Sequence, residues 1–163
     1  RCAVAKEQWE TAMNLAQHVL QSGYAHFDSH FLIARSADNC GLPETAAVNY
    51  EKALELMERT IEANPEQPSG YFLRGKVYFF QGNNKAALED FEAALAKADV
   101  NAHYAAYHEH FTVLDMLCMK GLTLHKLGRR EEAQAVGKRI LALAPDNETG
   151  KGLVGGAIGK GNP

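Results

Sequence analysis

The sequence contains no stretch long and apolar enough to cross a bilayer and no dense run of basic residues. A membrane-spanning helix needs roughly 20 consecutive apolar residues, and no segment approaches that length. Acidic and basic side chains are mixed along the chain, and the formal net charge is −3. Because nucleic-acid binding needs a basic stripe that contacts phosphates, we expect a protein that neither spans a membrane nor binds nucleic acid.

Cysteine is also scarce. Cys2, Cys40 and Cys118 form neither a C-x-x-C pair nor an even set for disulfides, so we expect one terminal thiol and two thiols packed between helices. The hydrophobic fraction of 46% and the charged fraction of 23% are typical of soluble globular proteins. The sequence begins with Arg1 rather than methionine, as expected of a chain that was processed or belongs to a longer one. We expect a soluble protein of the bacterial cytoplasm or periplasm.

The signatures of catalysis are missing as well. The sequence has no G-x-S-x-G nucleophile motif and no G-x-G-x-x-G dinucleotide motif after a strand. The glycine-rich end, residues 148–163, lacks the first glycine and the serine or threonine of a phosphate-binding loop. We therefore expect no enzyme, no catalytic residue and no cofactor.

One spacing of small and apolar residues, in contrast, occurs three times. In the best example the residues are Gly75, Gly82, Ala87, Phe91, Ala94 and Leu95. The same intervals separate Ala34, Gly41, Ala46, Tyr50, Ala53 and Leu54. They separate Gly121, Gly128, Ala133, Gly137, Ile140 and Leu141 once more. Self-similarity of this kind is the signature of a repeat protein.

Helical geometry explains this spacing. Apolar residues recur at intervals of three and four on both sides of a glycine, which indicates two amphipathic helices joined by a short turn. Gly75 and Gly121 fall inside the first helix, where glycine costs up to about 1 kcal/mol relative to alanine. We therefore expect a neighbouring helix to approach closely at both positions. Gly137 replaces the larger residue that fills the space between repeats, and we expect that space to be empty.

The pattern resembles that of the tetratricopeptide repeat family, which is marked by tryptophan, Leu-Gly, tyrosine, alanine, phenylalanine and proline positions. The second repeat matches through Tyr71, Gly75, Tyr78, Gly82, Ala87, Phe91, Ala94 and Leu95. The third matches through Gly121, Leu124, Gly128, Ala133, Ile140 and Pro145. The resemblance covers roughly residues 24–145. It implies an all-α fold, a right-handed superhelical stack of antiparallel helix pairs.

On this basis we divide the chain into five segments. They are a half-repeat or capping helix (3–23), repeat 1 with an extended second helix (24–66), repeat 2 (67–99), repeat 3 with an inserted or extended first helix (100–145), and a capping helix with a flexible glycine-rich tail (146–163). We expect Asn101 to cap a long helix that reaches Leu127, because no proline or glycine lies between Gly82 and Gly121. A short separate helix is the alternative. The final capping helix is expected at residues 149–158.

In this family the first helices of stacked repeats line a concave groove that accepts a peptide. The resemblance thus implies a protein–protein interaction scaffold that binds a peptide or helical segment of a partner. By helical phase the groove residues are Phe31, Arg35, Phe72, Lys76, Phe79, Leu122 and His125. Family members that bind acidic chaperone tails use a clamp of lysines, arginine and asparagines, for which only Arg35 and Lys76 are present. We expect an apolar or amphipathic segment anchored on Phe72 and Phe79. Alternatively, these aromatic residues only pack against neighbouring helices.

Two other hypotheses stay open. The array could self-associate through the N-terminal half-repeat or through residues 99–112, because an unfinished stack exposes apolar surface. The protein could also bind a metal through its histidines. The candidate groups are His26 and His30 with Asp28 between them, and His103, His108 and His110, of which His103 and His110 would share a helix face with Tyr107 and Leu114. Histidines that face solvent or pack between helices are far commoner, so we assign no metal ligand.

Overall fold

The computed structural model describes residues 2–23 and 26–156, and the chain divides into two units, residues 1–63 and 64–163. The first unit contains α1 (Cys2–Gln21), α2 (Phe27–Cys40) and α3 (Pro43–Ala63). The second unit contains α4 (Pro68–Phe80), α5 (Asn84–Lys97), β1 (Tyr104–Ala106), β2 (Glu109–Phe111), α6 (Val113–Lys126), α7 (Arg130–Leu143) and α8 (Glu148–Gly155). No helix in the described ranges combines the length and the apolar character needed to span a membrane.

The predicted all-α class, with helices in antiparallel pairs, is confirmed. In the first unit α2 packs on α3, and in the second unit α4 packs on α5 and α6 on α7. Gly41, Gly82 and Gly128 end the first helix of each pair with φ angles of 75°, 82° and 75°. Residues with a side chain rarely adopt this left-handed conformation, which explains why glycine recurs at the turn.

The first unit consists of the α2/α3 pair with α1 packed against α2. Its core contains Phe27 and Phe31, whose rings stack with centroids 5.3 Å apart, and Tyr50, whose ring centroid lies 6.5 Å from that of Phe31. On α1, Leu15 and Val19 are 64% and 37% exposed. Both residues belong to the N-terminal half-repeat, residues 3–23, through which self-association was considered.

A core cluster of the second unit joins α5, α6, α7 and α8. The buried members of this cluster are Leu88, Val113, Leu117, Leu124, Ala133, Ile140 and Leu153, and further buried residues of the unit, such as Leu73, Val77 and Met116, lie outside it. A bidentate ion pair also links α4 to α5, because the Nε and Nη2 atoms of Arg74 each lie 2.8 Å from a carboxylate oxygen of the buried Asp90. These contacts hold the two helix pairs and the short α8 in one unit.

The space beside Gly137 is not empty, contrary to prediction, because α8 fills it. A Cβ placed on Gly137 would lie 2.8 Å from the Cβ of Leu153 and 3.2 Å from the backbone oxygen of Gly150. The side chain of Leu153 also lies directly against Gly121 of α6. An apolar cavity would be costly, and the leucine of α8 removes it. Gly75 faces a different neighbour, since its Cβ would lie 2.8 Å from the ring of Phe91 on α5.

The long helix predicted from Asn101 to Leu127 is wrong, and so is the alternative of a short separate helix. Residues 104–111 form an antiparallel β-hairpin in which Tyr104 pairs with Phe111 and Ala106 with Glu109. The turn residues Tyr107 and His108 have φ angles of 50° and 64°. The histidines of this segment therefore lie on a hairpin and its flank, and they do not share a helix face with Leu114.

Helix α6 begins only after the hairpin, for a local reason. The Thr112 side chain and the backbone N–H of Thr112 both donate to the carboxylate of Asp115, at 2.9 and 2.8 Å. In return, the Thr112 side chain accepts a hydrogen bond from the backbone N–H of Asp115. The two bonds from backbone N–H groups form a capping box, which stabilises a helix start at this position. The hydrogen bonds explain why the helix does not extend back to Asn101.

Two predicted helices correspond to helices of the structure. The extended second helix of the first pair is observed as α3, which runs to Ala63. The final capping helix is observed as α8, with Asn147 accepting a hydrogen bond from the Gly150 N–H at 2.9 Å. The last residues of the predicted capping helix and the predicted flexible tail, 157–163, lie outside the described residues.

Candidate functional site

The candidate site is a depression of about 340 Å³ on the second unit, lined by α4, β2 and α6. Its principal side chains are Lys76 from α4, Glu109 and Phe111 from β2, and Cys118, Met119 and Leu122 from α6. Leu122 lies on the same side of α6 as the other two residues, because it follows Met119 by three positions and Cys118 by four. Met119 and Leu122 are half-buried, so they present apolar surface to a ligand.

An aromatic column connects this site to the core. The ring of Phe111 lies against that of Phe72, with centroids 4.5 Å apart, and Tyr104 stacks on the other side of Phe111 at 5.7 Å. Phe72 in turn contacts Phe91 of α5 at 5.9 Å. Phe72 and Phe111 are each 3% exposed. The column therefore fixes the hairpin on α4 and leaves Phe72 almost no surface for a partner.

The main electrostatic feature of the site is an ion pair between Lys76 of α4 and Glu109 of β2. The two side chains are 17% and 29% exposed, so the pair is largely removed from water. The ammonium group of Lys76 also lies 5.9 Å from the ring centroid of Phe72. A partly buried charge that lost its partner would be costly, which ties the hairpin electrostatically to α4.

Cys118 contributes an unreactive thiol to the depression. Its Sγ atom lies 3.8 Å from Oδ1 of Asn147, the residue that caps α8. Burial raises the pKa of the Cys118 thiol, and the contact with Asn147 only partly opposes this effect. The thiol therefore stays protonated near neutral pH and acts as a small apolar group.

The structure brings three of the predicted groove residues together: Phe72, Lys76 and Leu122 all line the depression. Phe79 does not line it. Its ring is 6% exposed, packs edge-on against Phe80 at 5.3 Å and lies 3.9 Å from the ammonium group of Lys126. His125 borders a different cavity, of about 350 Å³, together with Arg130 and Gln134.

The two predicted groove residues of the first unit have structural contacts of their own. Phe31 is 7% exposed and belongs to the core. Arg35 is half-buried, and its guanidinium lies 5.6 Å from the ring centroid of Trp9. Burial lowers the pKa of Arg35, although nearby Tyr50 and Asp38 oppose the shift. Arginine nevertheless remains charged at any physiological pH.

Sequence reasoning missed Glu109, Phe111 and Met119. It treated the inserted segment as helical, so the two hairpin residues received no role. Two signals were available in the sequence. Thr112 followed three positions later by Asp115 is a helix-start pattern. Tyr104, Tyr107 and Phe111 are residues of the type enriched in strands.

The histidine groups do not come together as metal ligands. His26 precedes α2 with an extended backbone, and His30 is hydrogen-bonded through Nδ1 to Oδ1 of Asn49 at 2.9 Å. His103, His108 and His110 are exposed on the hairpin and its flank. Within residues 2–23 and 26–156, no three histidine, cysteine or acidic side chains are placed to hold a metal ion.

Comparisons with known proteins agree with this architecture. Two family models, both described as tetratricopeptide repeat, match residues 44–102 and 114–147. No curated protein matches the chain. Among solved structures, MamA is similar with a TM-score of 0.55 at 16% identity, over 94% of this chain and 78% of MamA.

Two further solved structures share the fold at similar levels. The second tetratricopeptide repeat domain of human RPAP3, solved in complex with an HSP70 peptide, has a TM-score of 0.55 at 18% identity, over 83% of this chain and 100% of that domain. YrrB, described as a repeat protein with an unusual peptide-binding site, has a TM-score of 0.55 at 18% identity, over 91% of this chain and 66% of its own.

Antiparallel helix pairs joined by left-handed glycine turns, with a depression between first helices, define a helical-hairpin repeat protein. The two family models together match more than half of the 163 residues, and solved repeat proteins share the fold. The chain belongs to the tetratricopeptide repeat family.

Proposed function

We propose that this protein is an interaction scaffold that binds a peptide or helical segment of a partner protein in the depression of the second unit. The observation that carries the proposal is the apolar surface of Met119 and Leu122, here called the apolar floor, which lines the depression together with the ion pair of Lys76 and Glu109. Solved relatives of the same fold support it, because RPAP3 was solved with a bound peptide and YrrB is described by its peptide-binding site.

The depression favours a partner segment with an apolar side chain. Met119 and Leu122 contribute apolar surface to its lining, while the charges of Lys76 and Glu109 neutralise each other in their ion pair. Binding of an apolar anchor in such a pocket gains free energy from the surface removed from water. Phe72 and Phe79 are buried, so the anchor contacts Met119 and Leu122 rather than these two rings.

The proposal is tested with peptides selected from a displayed random library against the wild-type chain. We expect the double variant Met119→Ser/Leu122→Ser to lower the affinity of the selected peptides on the order of tenfold or more, because the apolar floor is lost. Fluorescence polarisation measures the affinity, and far-UV circular dichroism checks that the variant is folded.

The matched control is Leu143→Ser, which removes an exposed leucine of α7 outside the depression and should leave the affinity unchanged. The assignment of the depression would be contradicted if selected peptides bound the folded double variant as tightly as the wild type. It would also be contradicted if the selection yielded no peptide.

A further inference from the structure

Strand β2 meets α4 through two side chains that alternate along an extended backbone. Glu109 contacts Lys76, and Phe111, two residues later, contacts Phe72. Side chains two residues apart lie on one face of a strand, and side chains four residues apart lie on one face of a helix. Two strand residues span about 6.6 Å and four helix residues rise about 6 Å, so the two spacings match.

This arrangement has the form of a ligand in a binding site. An extended segment lies along a helix, with one charged contact and one aromatic contact in register. Both contacts are largely shielded from water, since the Lys76 and Glu109 side chains are 17% and 29% exposed and both rings are 3% exposed. The helix face of Phe72 and Lys76 thus has a definite chemical preference for an acid two positions before an aromatic residue.

We propose that this α4 face is a binding site for an extended segment of the type Glu-x-Phe, and that the hairpin of residues 104–111 occupies it as an intramolecular ligand. A partner segment with the same chemistry competes with the hairpin for Phe72 and Lys76. The proposal deepens the proposed function and rests on it, because it names the peptide chemistry recognised beside the depression.

The hairpin by itself has little internal stability. Each strand has three residues, and an isolated two-stranded hairpin is at best marginally stable in water. The turn residues Tyr107 and His108 have positive φ angles, which cost conformational free energy in residues other than glycine. The contacts of Phe111 and Glu109 with α4 therefore supply much of what keeps the hairpin in place.

The test supplies the hairpin as a separate molecule. The probe is a fluorescein-labelled synthetic peptide of residues 103–112, and the receptor is the full chain with residues 103–111 replaced by a glycine–serine linker of equal length. We expect the probe to bind this receptor at least about tenfold more tightly than it binds the wild type, whose site is already occupied.

A charge exchange shows whether the contact is specific. A probe carrying Glu109→Lys should bind the linker receptor about tenfold more weakly than the native probe. It should recover its affinity when the receptor also carries Lys76→Glu, because the ion pair is then restored with reversed sign. If the probe does not bind through an ion pair with position 76, its affinity should not recover.

If the linker receptor does not fold by circular dichroism, the full chain with Glu109→Ala and Phe111→Ala replaces it, since only two side chains of that chain are changed. Absence of probe binding to a folded receptor, or equal binding of native and charge-reversed probes, overturns the proposal. Either result is distinguishable from failure of the proposed function, which is measured with library peptides that depend on Met119 and Leu122.

Discussion

The helix pairs α4/α5 and α6/α7 have the same spacing of small residues but fill their central space in different ways. In the first pair, Gly75 faces Phe91, so the aromatic ring of one helix packs on the glycine of the other. In the second pair the position of Phe91 is held by Gly137, and Leu153 of α8 packs there and against Gly121. The spacing of small residues thus determines where a helix pair has room for a side chain. The side chain that fills this room can come from the same pair or from another helix.

The ion pairs at equivalent positions differ in the same way. Arg74, the residue before Gly75, pairs with Asp90 inside its own helix pair. The chain has Val136 at the position equivalent to Asp90, and Lys120, the residue before Gly121, instead lies 2.8 Å from Glu92 of α5. At these equivalent positions the contacts of α4/α5 are therefore made within the pair, whereas those of α6/α7 are made with α8 and α5.

The largest effect is expected from Leu153→Ala, which removes the side chain through which α8 packs on Gly121 of α6 and Gly137 of α7. Removing this buried leucine leaves a cavity beside two glycines that cannot fill it, so we expect the free energy of unfolding to fall by about 2–5 kcal/mol. Urea denaturation measures the total loss. Amide hydrogen exchange should increase more in residues 113–143 than in residues 68–97.

The control for this variant is Leu143→Ala, because Leu143 lies on α7 but is 50% exposed. Its effect should stay within about 0.5 kcal/mol of zero. The role of α8 would be contradicted if Leu153→Ala were no more destabilising than this control. It would also be contradicted if amide exchange increased equally in α4/α5 and α6/α7.

A smaller effect distinguishes the two glycines inside the first helices. Gly75→Ala would place a Cβ 2.8 Å from the rigid ring of Phe91 and 3.1 Å from the Cβ of Asp90. Gly121→Ala would mainly displace the end of the flexible Leu153 side chain. We expect Gly75→Ala to cost about 1–2 kcal/mol. Gly121→Ala should cost at least about 1 kcal/mol less, because the end of the Leu153 side chain can rotate away whereas the ring of Phe91 cannot.

Thermal and urea denaturation of the two alanine variants, run side by side, measures this difference. The double variant Gly121→Ala/Leu153→Ala adds a check, since the second substitution removes the side chain that opposes the new methyl group. Equal losses for Gly75→Ala and Gly121→Ala would contradict the view that the two glycines face obstacles of different rigidity.

The smallest effect is expected at Tyr50, the residue of the first unit that is equivalent in the repeat to Phe91 and Gly137. Its hydroxyl donates to Oδ2 of Asp38 at 2.7 Å. Burial, and secondarily this hydrogen bond, raise the pKa of Tyr50. Tyr50→Phe removes the hydrogen bond, and we expect a loss of about 0.5–1.5 kcal/mol at neutral pH.

The pH dependence of this variant has a definite sign. An unfolded tyrosine ionises near pH 10, whereas folded Tyr50 keeps its proton to higher pH. The folded state then binds more protons than the unfolded state, so the wild type loses stability as the pH rises above about 10, and Tyr50→Phe lacks this part of the loss. Urea denaturation between pH 7 and pH 11 measures the difference, and a constant difference over that range would be the contrary result.

The candidate site was only partly predictable. Helical phase predicted Lys76 and Leu122 as residues of one groove, and both line the depression, because their positions on α4 and α6 follow from helix geometry. Glu109 and Phe111 were missed because the turn of their hairpin, Tyr107–His108, lacks the glycine or asparagine that usually indicates such a turn. That hairpin is stabilised by its packing on Phe72 and not by local propensity.

The sequence by itself determined the helix pairs and the places where they turn. These features depend on residues close in the chain: glycines at left-handed positions such as Gly82, and apolar residues one helical turn apart. Only the tertiary structure decided that Leu153 fills the space at Gly137 and that Phe111 covers Phe72. Burial of apolar surface is favourable whichever segment supplies it, so residues far apart in the sequence can fill the same space.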